Sequence, residues 1–214
     1  MKTLLAATAA TLVATGALAS GPVAPPPYVP PVVMPQAYDW SGAYAGVGLT
    51  YGRMNFDTNG AIPMYPDASG AGLSGIAGYN WQSGNFVYGA EVALDLSNRS
   101  GTNDCGVPGE TCTSRVRHQA SVRGRFGMAM DRSLLFMTVG YATDARSVTS
   151  TLAGNDGARY SGPMLGLGFE QAVGSGQWTV RGDLEHYFYG SETLNGVQTD
   201  GDSNMVRFSL VRRF

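Results

Sequence analysis

Between Leu73 and Leu96, one set of apolar residues recurs at every second position on both sides of a short turn, mostly with small or polar residues between, and few folds satisfy that pattern. After Ser83-Gly84, the residues Phe86, Tyr88, Ala90, Val92, Leu94 and Leu96 alternate with Val87, Gly89, Glu91, Ala93 and Asp95. Before the turn, Leu73, Gly75, Ala77, Tyr79 and Trp81 keep the same rhythm. A period of two belongs to a β-strand with two chemically different faces, and two such runs across a tight turn form a hairpin.

The rhythm extends to the end of the chain. Ala43, Ala45, Val47, Leu49 and Tyr51 form one face of a first strand within 39–51. Further strands are expected over 115–130, from Leu134 to about Thr143, and over 160–172, 177–189 and 204–214, giving eight in all. Their connections alternate between long and short, from the polar run with Asn59-Gly60 to Asp131-Arg132-Ser133 and Gly174-Ser175-Gly176. An even strand number with short turns at one end and long loops at the other is the pattern of a transmembrane barrel whose termini are periplasmic.

Composition agrees. The 30 glycines disfavour helices and suit close-packed strands, while charged residues make up only 14% of the chain. A mean hydropathy of −0.07 excludes a bundle of membrane helices, but a barrel that hides polar groups in its lumen meets both conditions. Residues 1–19 read as a secretory signal peptide, with Lys2, an apolar core from Leu4 to Val13, and a small-residue cut at Ala17-Leu18-Ala19. Residues 20–38 are Pro-rich and read as an extended periplasmic tail, followed by the barrel over 39–214. Cys105 and Cys112 are the only cysteines, and in an oxidising compartment they most simply close a local disulfide loop. A metal site would need more ligands than that run offers, so neither metal nor cofactor is expected.

Several segments together resemble the small eight-stranded outer-membrane β-barrel family, the porin-family or OmpA-like barrels of Gram-negative bacteria. They are Trp40-Ser-Gly-Ala-Tyr-Ala-Gly-Val47, Gly78-Tyr-Asn-Trp-Gln82, Tyr88-Gly-Ala-Glu91, Val122-Arg-Gly-Arg-Phe-Gly127 and the terminal Phe214. The resemblance implies an all-β, eight-stranded antiparallel up-and-down transmembrane barrel in the outer membrane. It also implies insertion by the barrel-assembly machinery, with Phe214 as the assembly signal. The chain departs from the family pattern at Arg212, where an aromatic is usual, and at Ile76, an apolar residue on the otherwise polar face.

Alternation alone leaves open which face meets lipid, because a soluble lipocalin-like binding barrel uses the same period with the faces reversed. Aromatics at the short-turn ends (Tyr79, Trp81, Phe86, Trp178 and Phe214) decide for lipid as an interfacial girdle. The opposite face then supplies a lumen with Arg117, Arg123, Arg125, Arg181 and Arg207 against Glu91, Asp95, Glu170, Asp183 and Glu185. An eight-stranded barrel has room only for side chains, so these charges should pair and plug it. A narrow low-conductance channel is the alternative.

An outer-membrane hydrolase is the remaining enzymatic reading. It is disfavoured because His118 and His186 fall on the outer face by parity, whereas Ser121 and Asp183 fall on the inner one. The expected partners are outer-membrane lipid and lipopolysaccharide. Acidic residues of the long connections (Asp57, Asp67, Asp104, Glu110, Asp156, Glu192, Asp200 and Asp202) either share divalent cations with lipopolysaccharide phosphates or simply keep the loops soluble. A net charge of −2 without a basic run excludes nucleic acid.

Overall fold

A computed structural model describes residues 38–55, 57–58, 66–104, 109–151, 154–174, 176–194 and 197–214, of which 57–58, 192–194 and 197–200 are described by backbone alone. The expected signal peptide and nearly all of the Pro-rich tail lie outside these residues, as does Cys105.

The described residues form eight long antiparallel strands and one two-residue strand. They are β1 (Gly42–Met54), β2 (Asp57–Thr58), β3 (Ala68–Ser83), β4 (Phe86–Asp104), β5 (Thr111–Met130), β6 (Ser133–Ser150), β7 (Gly154–Val173), β8 (Trp178–Leu194) and β9 (Val197–Arg213). Each long strand pairs with its neighbours in sequence, β2 adds a short pairing to β9, and β1 pairs with β9 to close the ring. Closure pairs both edges of the sheet across the apolar band, a condition that a sheet surrounded by hydrocarbon must meet, and the β7–β8 ladder ends at Met164 and Tyr187.

One ladder row fixes the tilt. It runs Gly42, Asn80, Gly89, Arg125, Thr138, Gly166, Glu185, Met205 and returns to β1 at Gly52. The return is ten residues along from Gly42, and such a stagger inclines the strands by about 40° to the barrel axis. The turns at the short-turn end are tight, with Gly84 at φ 59° and Asp131 at φ 52° taking the left-handed conformation.

Leu94, Val180 and Phe208 face outward and are exposed, whereas Arg123, Glu185 and Arg207 are buried inside. The outward apolar band ends in two aromatic belts. Tyr79, Trp81, Phe86, Trp178 and Phe214 form the lower one beside the short turns, and Tyr51, Tyr141 and Phe188 mark the upper one. Ile76 points inward and packs with Tyr44, Ala93 and Val211, which secures the register of β3. Arg212 points outward, its guanidinium 5.3 Å from the Phe214 ring centroid and 5.8 Å from that of Trp178.

The strands run further outward than the apolar pattern predicts. β4 continues to Asp104, β6 to Ser150, and the β8–β9 hairpin to Leu194 and Val197. These ends carry Ser, Thr, Gly and Asn outside because they face water rather than acyl chains. Their hydrogen bonds come from ladder partners, and a hydropathy pattern does not register those. Inside this outer half Met54, Val116, Val148, Tyr160, Met164, Tyr187 and Met205 pack as an apolar cluster beside a few buried charges.

Candidate functional site

Inward-facing positions of β4, β5, β7, β8 and β9 place charged side chains across the lumen. The expected lumen residues Glu91, Asp95, Arg123, Arg125, Glu170, Arg181, Asp183, Glu185 and Arg207 are all buried there. At its centre, Glu91 accepts hydrogen bonds from Arg123 Nε at 2.6 Å and Tyr44 Oη at 2.7 Å, and it also binds Arg181. Arg181 also holds Asp183, its Nη2 at 2.7 Å from Oδ1. Arg123 reaches on to Glu185, which also takes Tyr187 Oη and Arg207 Nη2, the latter at 3.1 Å. Arg207 Nη2 donates to Asp95 as well, at 2.8 Å. Each arginine thus bridges carboxylates, so burial is offset by attraction that a single pair would not provide.

Below this belt, Arg125 binds Glu170, which also accepts from Thr179 Oγ1 at 2.6 Å. The Phe136 ring lies 3.7 Å from the Arg125 guanidinium and 4.6 Å from that of Arg181, centroid to Cζ. Such contacts are favourable where water is excluded. Gly168 makes room for this ring, since a Cβ there would stand 2.1 Å from it.

The short-turn end of the lumen holds a residue that the alternation pattern assigned to the first strand. Trp40 is fully buried among Val87, Ala129, Leu134, Phe136 and Ala172. Its N–H donates to Gln82 Oε1 at 2.6 Å, and its carbonyl accepts from Arg213. Tyr38 packs against Trp40 edge-on at 4.7 Å and donates its hydroxyl to the Gly176 carbonyl. Beside them Asp39 accepts from the hydroxyl and the backbone N–H of Ser41, which holds its carboxyl below the ordinary range.

Arg117 departs from its expected lumen position. Val116 and His118 pair with Arg146 and Ala145, which are consecutive on β6, so Arg117 is the extra residue of a β-bulge and faces outward. The bulge also reverses parity above it: odd positions point inward at Gln119, Ser121, Arg123 and Arg125, but even ones at Cys112, Ser114 and Val116. Sequence parity assumes an unbroken strand and carries no signal for such an insertion.

Besides Glu110, four buried charges were not anticipated from the sequence. Arg146 pairs with Asp144 at 2.9 Å, Arg213 lies 3.6 Å from Glu170, and Arg99 donates to Gln119 Oε1 at 2.9 Å and Ser203 at 3.3 Å. Arg99 and Asp144 lie in polar runs read as loops, and a longer strand assignment with strict parity would have found them.

Both histidines lie outside the lumen. His186 Nδ1 is 2.8 Å from Asn204 Oδ1, and Ser121 and Asp183 are buried on the inner face. Cys112 is buried on the inner side of β5, but its expected pairing rests on Cys105, which lies outside the described residues. Among the outer acids, Asp67 pairs with Arg53 at 3.1 Å, and Glu110 accepts from the buried Ser150 hydroxyl.

A closed ring of eight strands, apolar outside and ionic within, is a transmembrane β-barrel. Residues 5–214 match the family described as the outer membrane protein beta-barrel domain. The chain belongs to that family and is an outer-membrane protein. It is 27% identical over 234 residues to the 31 kDa outer-membrane immunogenic protein of Brucella suis biovar 1 (strain 1330), covering 99% of this chain and 97% of the relative. It is 28% identical over 187 residues to the 22 kDa outer membrane protein of Rhizobium leguminosarum bv. viciae, covering 83% and 80% respectively. Among solved structures, Neisserial surface protein A shares the fold, with a TM-score of 0.51 and 13% identity over 81% of this chain and 98% of that one.

Proposed function

We propose that the protein is a closed, non-catalytic barrel that contributes to envelope integrity and presents its outward extension as a contact surface. The observation that carries this reading is the bridging of Glu91, Arg123, Glu185 and Arg207 across β4, β5, β8 and β9, which fills the lumen with side chains from opposing walls. The Trp40 cluster at the periplasmic mouth supports it. A non-enzymatic role is supported by the histidines, since neither shares a face with Ser121 or Asp183. Outer-leaflet lipid as a partner and insertion through recognition of Phe214 belong to the same reading. The immunogenic name of the Brucella relative accords with a surface role.

Planar-bilayer recording of the purified barrel tests closure. A flat trace at physiological salt is the expected result, and discrete steps that scale with salt concentration would replace this reading with a narrow channel.

A further inference from the structure

The bulge at Arg117 has an effect outside the barrel. By turning Arg117 outward and reversing the parity above it, the bulge moves both Arg117 and Arg115 from lumen positions to the outer wall. Arg159 joins them, because the ladder row His118, Ala145, Arg159 carries it two strands along the tilted sheet, to a position slightly further out than His118. Arg115 pairs with Ser147 on the row above. A groove of about 250 Å³ runs between these strands, lined in part by Arg117, His118, Ser147 and Asn155.

Arg115, Arg117 and Arg159 are exposed, and among the described residues no carboxylate lies within ion-pair distance of them. Of the described acids of this region, Asp144 and Glu110 are buried, paired with Arg146 and bound by Ser150, while Asp104 lies at the tip of β4 and the half-buried Asp156 accepts from the Gly157 N–H. The height of the cluster identifies what it faces. On β6 the outward residues change from apolar to polar just above Tyr141, and Ala145 stands four residues further out. Along tilted strands that is roughly 10 Å above the acyl region, within reach of the headgroup layer for an arginine side chain. Three guanidinium groups at that level match phosphate in charge and in hydrogen-bond geometry.

We propose that Arg115, Arg117 and Arg159 form a binding site for the phosphorylated headgroup of an outer-leaflet glycolipid. The site rests on the orientation given under the proposed function, with the long connections outward. Lipid titration and bilayer recording measure different properties, so the site and the closed lumen can fail separately.

The test uses the full chain, folded in zwitterionic micelles and titrated with bisphosphorylated lipid A, with the same lipid stripped of phosphate, and with inorganic phosphate. Thermophoresis reads binding, and unheated gel mobility confirms folding. Wild type should bind the phosphorylated lipid roughly tenfold more tightly than the stripped one. The triple variant R115A/R117A/R159A should lose that preference, while R53A, on the far side of the ring, keeps it. R117A alone, at an exposed bulge, should lose part of it and covers the case of a misfolded triple variant. Equal binding of both lipids, or an unchanged preference in the variants, overturns the proposal. Inorganic phosphate that competes at concentrations matching the lipid's would also overturn it, by making the site one for free phosphate.

Discussion

Replacing Glu91 with alanine removes the carboxylate on which Arg123, Arg181 and Tyr44 converge. Deleting one partner of a buried ion pair costs about 3–5 kcal/mol, because the other charge stays buried. Here each arginine keeps a second carboxylate, Glu185 for Arg123 and Asp183 for Arg181. The ionic part therefore falls near the lower bound, about 3 kcal/mol, and the lost Tyr44 hydrogen bond adds about 1 kcal/mol. With a denaturant slope of about 2 kcal/mol/M, the urea midpoint of the barrel in micelles should fall by about 2 M, read by tryptophan fluorescence. Glu91→Gln keeps the shape and an acceptor but not the charge, so its midpoint should lie between the two. Pairing Glu91→Ala with Arg123→Ala should recover part of the loss as a coupling of about 0.5–3 kcal/mol. A Glu91→Ala midpoint indistinguishable from wild type would show that the interior charges do not hold the wall together, and the reasoning would be wrong.

Three further substitutions test the two faces of the wall. Gly168→Ala drives a methyl into the Phe136 ring and should cost about 1–3 kcal/mol in the same unfolding assay. Gly75→Ala, where the added methyl meets open space, should be close to neutral, and equal effects of the two would contradict the packing described. Phe208→Arg puts a charge midway along β9 on the lipid face and should cost about 2–4 kcal/mol. That loss should appear as a lower yield of the compact, unheated gel form after refolding into vesicles; an undiminished yield would mean that Phe208 does not face acyl chains.

Most of the wall was legible from alternation, because a period of two assigns every residue of an unbroken strand to one face. That logic put Glu91 and Asp95 inside and Leu94 outside, and it accommodated Ile76 once β3 was seen to pair in register with β1 and β4. It failed at Arg117, where one inserted residue reverses every position beyond it. Hydropathy also stopped short of the outer strand ends, since those segments face water outside and, within, an apolar cluster mixed with the buried Arg99, Asp144 and Arg146, so no face is uniformly apolar.

By itself, the amino-acid order determined that the chain forms a ring of eight strands with ionised groups directed away from lipid, because no other placement of its alternating faces is affordable in hydrocarbon. Tertiary structure alone decided which charges meet. Asp95 and Arg207 are 112 residues apart in the chain and Glu91 and Arg181 are 90 apart, and only the ten-residue stagger of the closed sheet brings them to one level. The position of Trp40 at the short-turn end of the lumen and the outward turn of Arg117 have the same origin. Both depend on where the ring closes and where its ladder slips, and those are properties of strand pairing rather than of any one strand.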